Sequence, residues 1–173
     1  IGRQPIMDAQ QRIIGYELLF RDHAQATSAN IADDLVAGAQ MLVNTLNNMG
    51  AEWLFGEKIA FLNVTASVLH SEYLELLPAK RIVLEILEDV EPTPELVERL
   101  KALKQTGFTL ALDDYDGNPA FDPLLGMVTY IKIDLLRIPA DKLPELVARA
   151  RKFPVKLIAE KVETQTTSNT CNA

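Results

Sequence analysis

Cysteine and histidine are scarce in this chain, and their scarcity argues against two kinds of site. The single cysteine, Cys171, allows no disulfide within the chain and makes a cytoplasmic protein the expectation. The two histidines, His23 and His70, lie away from the predicted strand ends, which disfavours a histidine-rich zinc site. No apolar run approaches the roughly 20 residues that a membrane-spanning helix needs, so no contact with a membrane is predicted.

The chain also lacks an excess of positive charge and a glycine-rich phosphate loop. The chain has 17 lysines and arginines against 24 acidic residues, a net charge of -7, which disfavours nucleic acid as a partner bound through a broad basic surface. No glycine-rich phosphate loop of the dinucleotide or Walker type is present, so a Rossmann fold has no support. What the chain does have is 48% hydrophobic residues over 173 positions, enough for one globular domain with a core.

Short apolar runs alternate with amphipathic helical segments along the chain. Residues 3–7 and 12–20, joined by a tight turn, predict an antiparallel hairpin. Repeated helix–strand units follow, and this alternation predicts a mainly parallel sheet with helices outside it. The predicted helices cover 30–49, part of 66–77, 93–107 and 141–152, and the further strands cover 59–64, 81–87, 108–114, 128–133 and 154–159.

The most informative pattern is a set of polar residues at the ends of these apolar runs. A charge at the end of a buried strand costs several kcal/mol unless it is paired, hydrogen-bonded or metal-bound. All of these residues fall on the C-terminal side of their strands, where a parallel α/β barrel builds its active site. An open doubly wound sheet, which gathers its polar groups near one switch point, is the alternative fold. The residues are Glu17, Asn63, Glu85, the pair Asp113 and Asp114, Lys132 and Glu160.

Carboxylate and amide oxygens of this kind suit Mg2+, Mn2+ or Ca2+. Two such metals about 4 Å apart, with an attacking water, are the general arrangement for phosphodiester hydrolysis. Lys132, standing among carboxylates, could orient that water or act as acid or base.

Each residue taken alone has a plainer interpretation. Glu17 or Glu85 can be a surface or salt-bridged residue, and Asp113-Asp114 can cap a helix. Lys132 can be solvated or ion-paired, and Asn63 can belong to a turn. The coincidence of all of them at strand ends favours a site.

Several motifs resemble those of EAL domains, the cyclic di-GMP phosphodiesterase family. Tyr16-Glu17-Leu18-Leu19-Phe20-Arg21 looks like the family signature, and later segments match further family motifs in order. The later segments are Leu62-Asn63-Val64-Thr65, Glu85-Ile86-Leu87-Glu88, Asp113-Asp114-Tyr115, Lys132-Ile133-Asp134 and Ala159-Glu160-Lys161-Val162-Glu163.

The resemblance implies a fold, a set of roles and a ligand. The fold would be a TIM-like (β/α) barrel of the EAL type with one antiparallel strand. Lys132 and Glu88 would be catalytic, Arg21 would contact a phosphate of cyclic di-GMP, and Mg2+ or Mn2+ would be the cofactor of a functional site. The metal ligands would be Glu17, Asn63, Glu85, Asp113, Asp114 and Glu160.

Three departures from the family pattern bear on activity. The loop 115–121 lacks the Gly-Thr-Gly-Tyr-Ser-Ser-like sequence that supports metal binding and dimerisation in active members. Lys161 replaces a glycine, and a long cation beside Glu160 is expected to compete with the metal. The 173 residues end before the family's last two strands and its late catalytic glutamine, so we expect a single EAL-like domain, 1–173, that is incomplete at its C-terminus.

These departures favour a degenerate, regulatory signalling module over an active phosphodiesterase that makes linear pGpG, and an empty metal site stays an alternative to bound Mg2+ or Mn2+. The opening segments Gly2-Arg3-Gln4-Pro5-Ile6 and 15–21 resemble the subgroup in which an HDOD domain follows the EAL domain. That HDOD domain or another signalling protein is then an expected partner, as is a second copy in a homodimer.

Overall fold

The computed structural model describes residues 1–8, 10–19, 28–50 and 54–161. One sheet of seven strands forms the centre of the molecule. Its strands are β1 (Gly2–Met7), β2 (Ile13–Leu19), β3 (Ile59–Val64), β4 (Ile82–Ile86), β5 (Thr109–Leu112), β6 (Tyr130–Asp134) and β7 (Lys156–Glu160). The α-helices are α1 (Ser28–Met49), α2 (Ala66–Leu69), α3 (Pro94–Gln105), α4 (Asp122–Leu125) and α5 (Leu143–Ala150).

The strands lie side by side in chain order. β1 and β2 pair antiparallel, which confirms the predicted hairpin, and every later neighbour pairs parallel. A doubly wound sheet reverses its strand order at a switch point, so the alternative fold is excluded. Among the described residues β7 pairs only with β6, so the sheet does not close on itself. With its helices outside it, this open sheet is part of a TIM-like barrel.

The sequence places the helix and strand ends well where a local hydrogen bond defines them. The Thr93 hydroxyl accepts a hydrogen bond from the Leu96 amide at 3.2 Å, and Pro94 occupies the first turn of α3, at the start of the helix predicted over 93–107. Gly107, just past its end, has a φ of +111°, a conformation that glycine adopts freely. Segment 66–77 is partly helical, since α2 is followed by a 3-10 helix at Glu72–Leu76.

The sheet has an apolar core on each face. The larger core lies between the sheet and the outer helices, and its members include Leu62, Leu84, Leu100 and Ile131, none more than 1% exposed. The smaller core fills the inside of the barrel and contains Ile6, Phe61, Val83 and Ala111, with Tyr130 and Ile158 packed against it.

Gly15 belongs to the same inner layer. A Cβ atom there would lie 2.9 Å from the Ile59 carbonyl oxygen and 2.9 Å from the Phe61 ring, so the layer has no room for a side chain on this strand. The Phe61 ring in turn meets the Tyr130 ring edge-on, with centroids 5.3 Å apart. The inner apolar layer is thus tightly packed below the strand-end residues.

Candidate functional site

A ring of polar side chains lies directly above the inner apolar layer. Side chains that point to one face of a strand recur every second residue. Two residues beyond Phe61 and Val83 come Asn63 and Glu85, and the same step on the other strands reaches the remaining predicted strand-end residues. Those remaining residues are Glu17, Asp113, Lys132 and Glu160.

Lys132 stands at the centre of this ring. Its Nζ lies 2.8 Å from Glu160 Oε1, 2.9 Å from an oxygen of both Glu85 and Asp113, and 3.4 Å from Glu17 Oε2. The lysine is only 1% exposed and Glu85 is fully buried. Residues far apart in sequence therefore meet at one buried ammonium group, as predicted from their places at strand ends.

One lysine cannot satisfy all of these oxygens. An ammonium group has three N–H donors, and the carboxylates that surround it offer more acceptor positions than that. Both carboxylate oxygens of Glu85 and Oδ1 of Asp113 are buried without an aligned hydrogen bond, although Nζ lies 2.9 Å from Glu85 Oε1 and from Asp113 Oδ1. Asn63 donates its amide to Glu17 Oε1 at 3.1 Å, which leaves its own Oδ1 buried and unpartnered.

The burial of these carboxylates close to one another and to Lys132 shifts the pKa values of the ring residues. Burial raises the pKa of Glu85 to about 8, against the attraction of Lys132, and nearby Glu17 and Asp113 raise it further. Burial also raises the pKa of Asp113 and of Glu160. For Lys132 burial would lower the pKa, but the surrounding carboxylates, Glu85 first, outweigh it and the pKa rises. The lysine is therefore an ammonium at neutral pH, which orients acceptors and cannot take up a proton.

The turn after β5 brings both of its aspartates toward the ring. β5 ends at Leu112, and Asp114 has a φ of +44°, a left-handed conformation that is uncommon for a residue with a side chain. Oxygens of Asp113, Asp114 and Glu160 lie within 4.8 Å of one another, and Oδ1 of Asp114 is buried without a hydrogen bond. The backbone reversal is what allows adjacent residues to face one site.

Sequence reasoning missed Arg137, which lies in the turn after β6. Its Nη1 is 2.6 Å from Asp114 Oδ2 and 3.0 Å from Glu88 Oε1. Glu88, a predicted catalytic residue, is thus half-exposed and paired with Arg137, and within the described residues no ion pair joins it to Lys132. A basic residue just after a predicted strand end was the available signal for Arg137.

Lys161 takes a different partner from the one expected. Its Nζ forms an ion pair with Asp134 Oδ2, and Asp134 is only 2% exposed. Burial opposes ionisation of Asp134, but the bonds from Lys161 and from the Leu136 amide lower its pKa overall. Lys161 has a φ of +54°, so it adopts the left-handed conformation for which glycine is suited.

The loop that departs from the family pattern is anchored at its two ends by buried aromatic residues, and residues 118–120 between them are exposed. Tyr115 is 3% exposed and donates its amide to the Lys132 carbonyl at 3.0 Å, while Phe121 is 7% exposed in a short 3-10 helix. Arg21, the predicted phosphate contact, lies outside the described residues. The structure thus brings together the predicted metal ligands and Lys132, and leaves Glu88 at the rim.

Comparison with known proteins agrees with this architecture. The EAL domain model matches residues 4–173. The chain belongs to the EAL domain family. Cyclic di-GMP phosphodiesterase CdgJ of Vibrio cholerae is 34% identical to it over 167 residues, which cover 95% of this EAL chain and 39% of the relative. The chain spans about two fifths of the length of the curated relatives it matches.

Solved structures share the fold of this EAL domain. The PaMucR phosphodiesterase in complex with cyclic di-GMP superposes with a TM-score of 0.75 at 21% identity, covering 98% of this chain and 88% of that one. BlrP1 of Klebsiella pneumoniae, in complex with manganese and cyclic di-GMP, gives a TM-score of 0.72 at 20% identity, covering 98% of this chain and 50% of that one. Among the described residues of the EAL domain, no helix has the length and apolar character to cross a bilayer.

Proposed function

We propose that this EAL domain is a metal-dependent phosphodiesterase that hydrolyses cyclic di-GMP to linear pGpG. The observation that carries the proposal is the set of carboxylates gathered round one lysine, several of whose oxygens are buried without a hydrogen bond. Buried acceptors in such excess are costly unless a cation joins them. The related Vibrio cholerae protein is named a cyclic di-GMP phosphodiesterase, which supports the choice of substrate.

The donor set fits divalent metal ions. Hard cations take oxygen ligands, and the buried oxygens of Asn63, Glu85, Asp113 and Asp114 that lack an aligned hydrogen bond are of that type. Magnesium or manganese suits them, and a manganese complex of a structural relative supports the choice. A bound ion would polarise the phosphodiester and lower the pKa of a water. The proposed ligands are Glu17, Asn63, Glu85, Asp113, Asp114 and Glu160.

Each remaining residue has a role that follows from its surroundings. Lys132 is held as an ammonium by the carboxylates. Once a divalent ion takes over some of these carboxylates, an N–H of Lys132 would be free to donate a hydrogen bond to a phosphate oxygen or an attacking water and hold it in place. Asn63 keeps Glu17 oriented through its amide. We retain the prediction that Arg21 contacts a phosphate of the substrate. We also retain a role in catalysis for Glu88, which would act from the rim of the site.

A direct experiment tests the proposal. The full-length protein is incubated with cyclic di-GMP and Mg2+ or Mn2+, and linear pGpG is measured by chromatography. We expect turnover that disappears in Glu17→Ala and Lys132→Met. Asp122→Asn is the matched control because Asp122 is half-exposed and paired with Arg149, away from the ring, and it should retain turnover. Turnover that persists in Glu17→Ala would contradict the assignment.

A degenerate, regulatory module is the second candidate. The altered loop 115–121 favours it, since active members carry a different sequence there. Such a module would bind cyclic di-GMP, or a protein partner alone, without producing pGpG. Cyclic di-GMP binding by calorimetry in the absence of turnover would establish this candidate in place of the first.

We further propose a cytoplasmic signalling protein in which the domain works with other modules. A following HDOD domain and self-association into a homodimer are the predicted partners. Mass measurement of the full-length protein with and without cyclic di-GMP tests self-association.

A further inference from the structure

Arg137 makes an arrangement that neither the acidic ring nor the family motifs explain. Its guanidinium bridges two carboxylates that come from different strand ends, Asp114 after β5 and Glu88 after β4. The side chain of Arg137 is 55% exposed, so the bridge lies at the rim of the site. An exposed ion pair contributes little to the stability of a protein. The effect of this bridge is therefore expected in the orientation of the two carboxylates.

The bridge occupies one Asp114 oxygen and leaves the other without a partner. Arg137 holds Oδ2 at 2.6 Å, whereas Oδ1 is buried and without a hydrogen bond. The Asp114 carboxylate also lies within 4.8 Å of ligand oxygens from Asp113 and Glu160. Carboxylates that bind a metal through one oxygen are commonly fixed by a hydrogen bond to the other.

The backbone of Asp114 needs such support. Its φ of +44° is uncommon for a residue with a side chain, and conformations of this kind persist where the surroundings hold them. Arg137 is itself fixed, because its amide donates to the Asp134 carbonyl at 3.1 Å in the turn that ends β6. The bridge therefore ties the turn after β5 to the strand that carries Lys132.

We propose that Arg137 is a positioning residue for the metal site. It holds Asp114 so that Oδ1 faces the metal, and it uses Glu88 as a second anchor. Glu88 then acts through Arg137 and not on the substrate. The inference rests on the proposed function, because it assumes that the ring binds a divalent ion.

Manganese binding by the full-length protein tests the inference without any measurement of activity. Calorimetry and the electron paramagnetic resonance signal of free Mn2+ give the affinity of wild type, Arg137→Ala and Arg137→Lys. Loss of an outer-shell partner weakens metal binding about 10- to 100-fold, and we expect a loss of that size in Arg137→Ala. Arg137→Lys should recover part of it, since a lysine can pair with one carboxylate at a time.

Arg149→Ala is the matched control. Arg149 also pairs with an aspartate at the surface, Asp122, but away from the ring, so its variant should bind Mn2+ like wild type. Thermal unfolding of metal-free Arg137→Ala and Arg149→Ala should match. In Glu88→Gln the affinity should also fall, and Arg137→Ala with Glu88→Gln should lose little more than Arg137→Ala alone.

The outcomes separate the two proposals. Equal Mn2+ affinity in wild type and Arg137→Ala would overturn the positioning role while leaving the metal site intact. Tighter binding in Arg137→Ala would also overturn it, because Arg137 would then compete with the metal. Additive losses in the double variant would overturn the role given to Glu88. Absence of Mn2+ binding in wild type would overturn the proposed function together with this inference.

Discussion

The Nζ atom of Lys132 lies 2.9 Å from Oε1 of Glu85, and both side chains are almost wholly buried. This pair is the centre of the ring, and its surroundings contain more negative than positive charge. The free energy of the ring therefore depends on one lysine when no metal is present, and on metal and lysine together when it is.

Replacement of Lys132 by methionine should strongly destabilise the metal-free protein. Removing one partner of a buried ion pair costs about 3–5 kcal/mol, because the other charges are left uncompensated. Urea denaturation in the presence of EDTA measures this loss, and added Mn2+ should recover part of it. An unchanged denaturation midpoint in Lys132→Met would mean that the carboxylates are already neutral or solvated. Arg149→Ala is the control, and its midpoint should equal that of wild type.

Glu85→Gln should have opposite effects on stability and on metal affinity. Glutamine keeps the shape of the buried side chain and cannot ionise, so it avoids the cost of a buried charge beside other carboxylates, and stability in EDTA should be unchanged or higher. The same change removes a proposed ligand, and Mn2+ affinity should fall at least about tenfold. Paired measurements by urea denaturation and calorimetry check both, and a parallel fall in stability would argue against crowding at this position.

Gly15→Ala should destabilise the barrel interior. The new Cβ would lie 2.9 Å from a backbone oxygen and from the Phe61 ring, and overpacking of this kind costs about 1–3 kcal/mol. Gly126→Ala is the control, because nothing lies within 4 Å of the Cβ position there, and it should change stability by no more than about 0.5 kcal/mol. Equal changes in stability in the two variants would show that the inner apolar layer can rearrange to make room for the added methyl group.

Lys161→Gly should be more stable than Lys161→Ala. Both variants lose the ion pair with Asp134, but only glycine relieves the left-handed backbone at this position. The difference should appear in thermal unfolding as a shift on the order of a few degrees. Identical unfolding temperatures would indicate that the residue changes its backbone conformation once the ion pair is removed.

Much of the fold could be predicted because the signals are local. The cap at Thr93 and the positive φ of Gly107 are properties of a few neighbouring residues, and the sequence places both ends of α3. The alternation of helices and strands predicts a mainly parallel sheet, and the polar residues at the strand ends favour the barrel over a doubly wound order. The bounds of the strands are shorter than predicted by a residue or more at several ends, since the flanking residues lie in turns.

The ring was predictable in its members and not in its contacts. Glu17 and Glu160 fall at strand ends, and any parallel barrel brings such ends together. The pairing of Lys161 with Asp134 depends on the left-handed backbone at Lys161, just after β7, and that of Arg137 with Asp114 on turns after two strands. Turn geometry of this kind is set by tertiary packing, so no sequence period could indicate it.

The arrangement of one ligand on each strand also bears on how the protein folds. Lys132 and Glu17 are separated by 115 positions, and the strands between them must pair before the two side chains can meet. Contacts of such range form slowly, because the entropy of closing the intervening chain is lost first. We therefore expect the charged centre to form late in folding, after the strands between β2 and β6 have paired, and its carboxylates to stay in water until then.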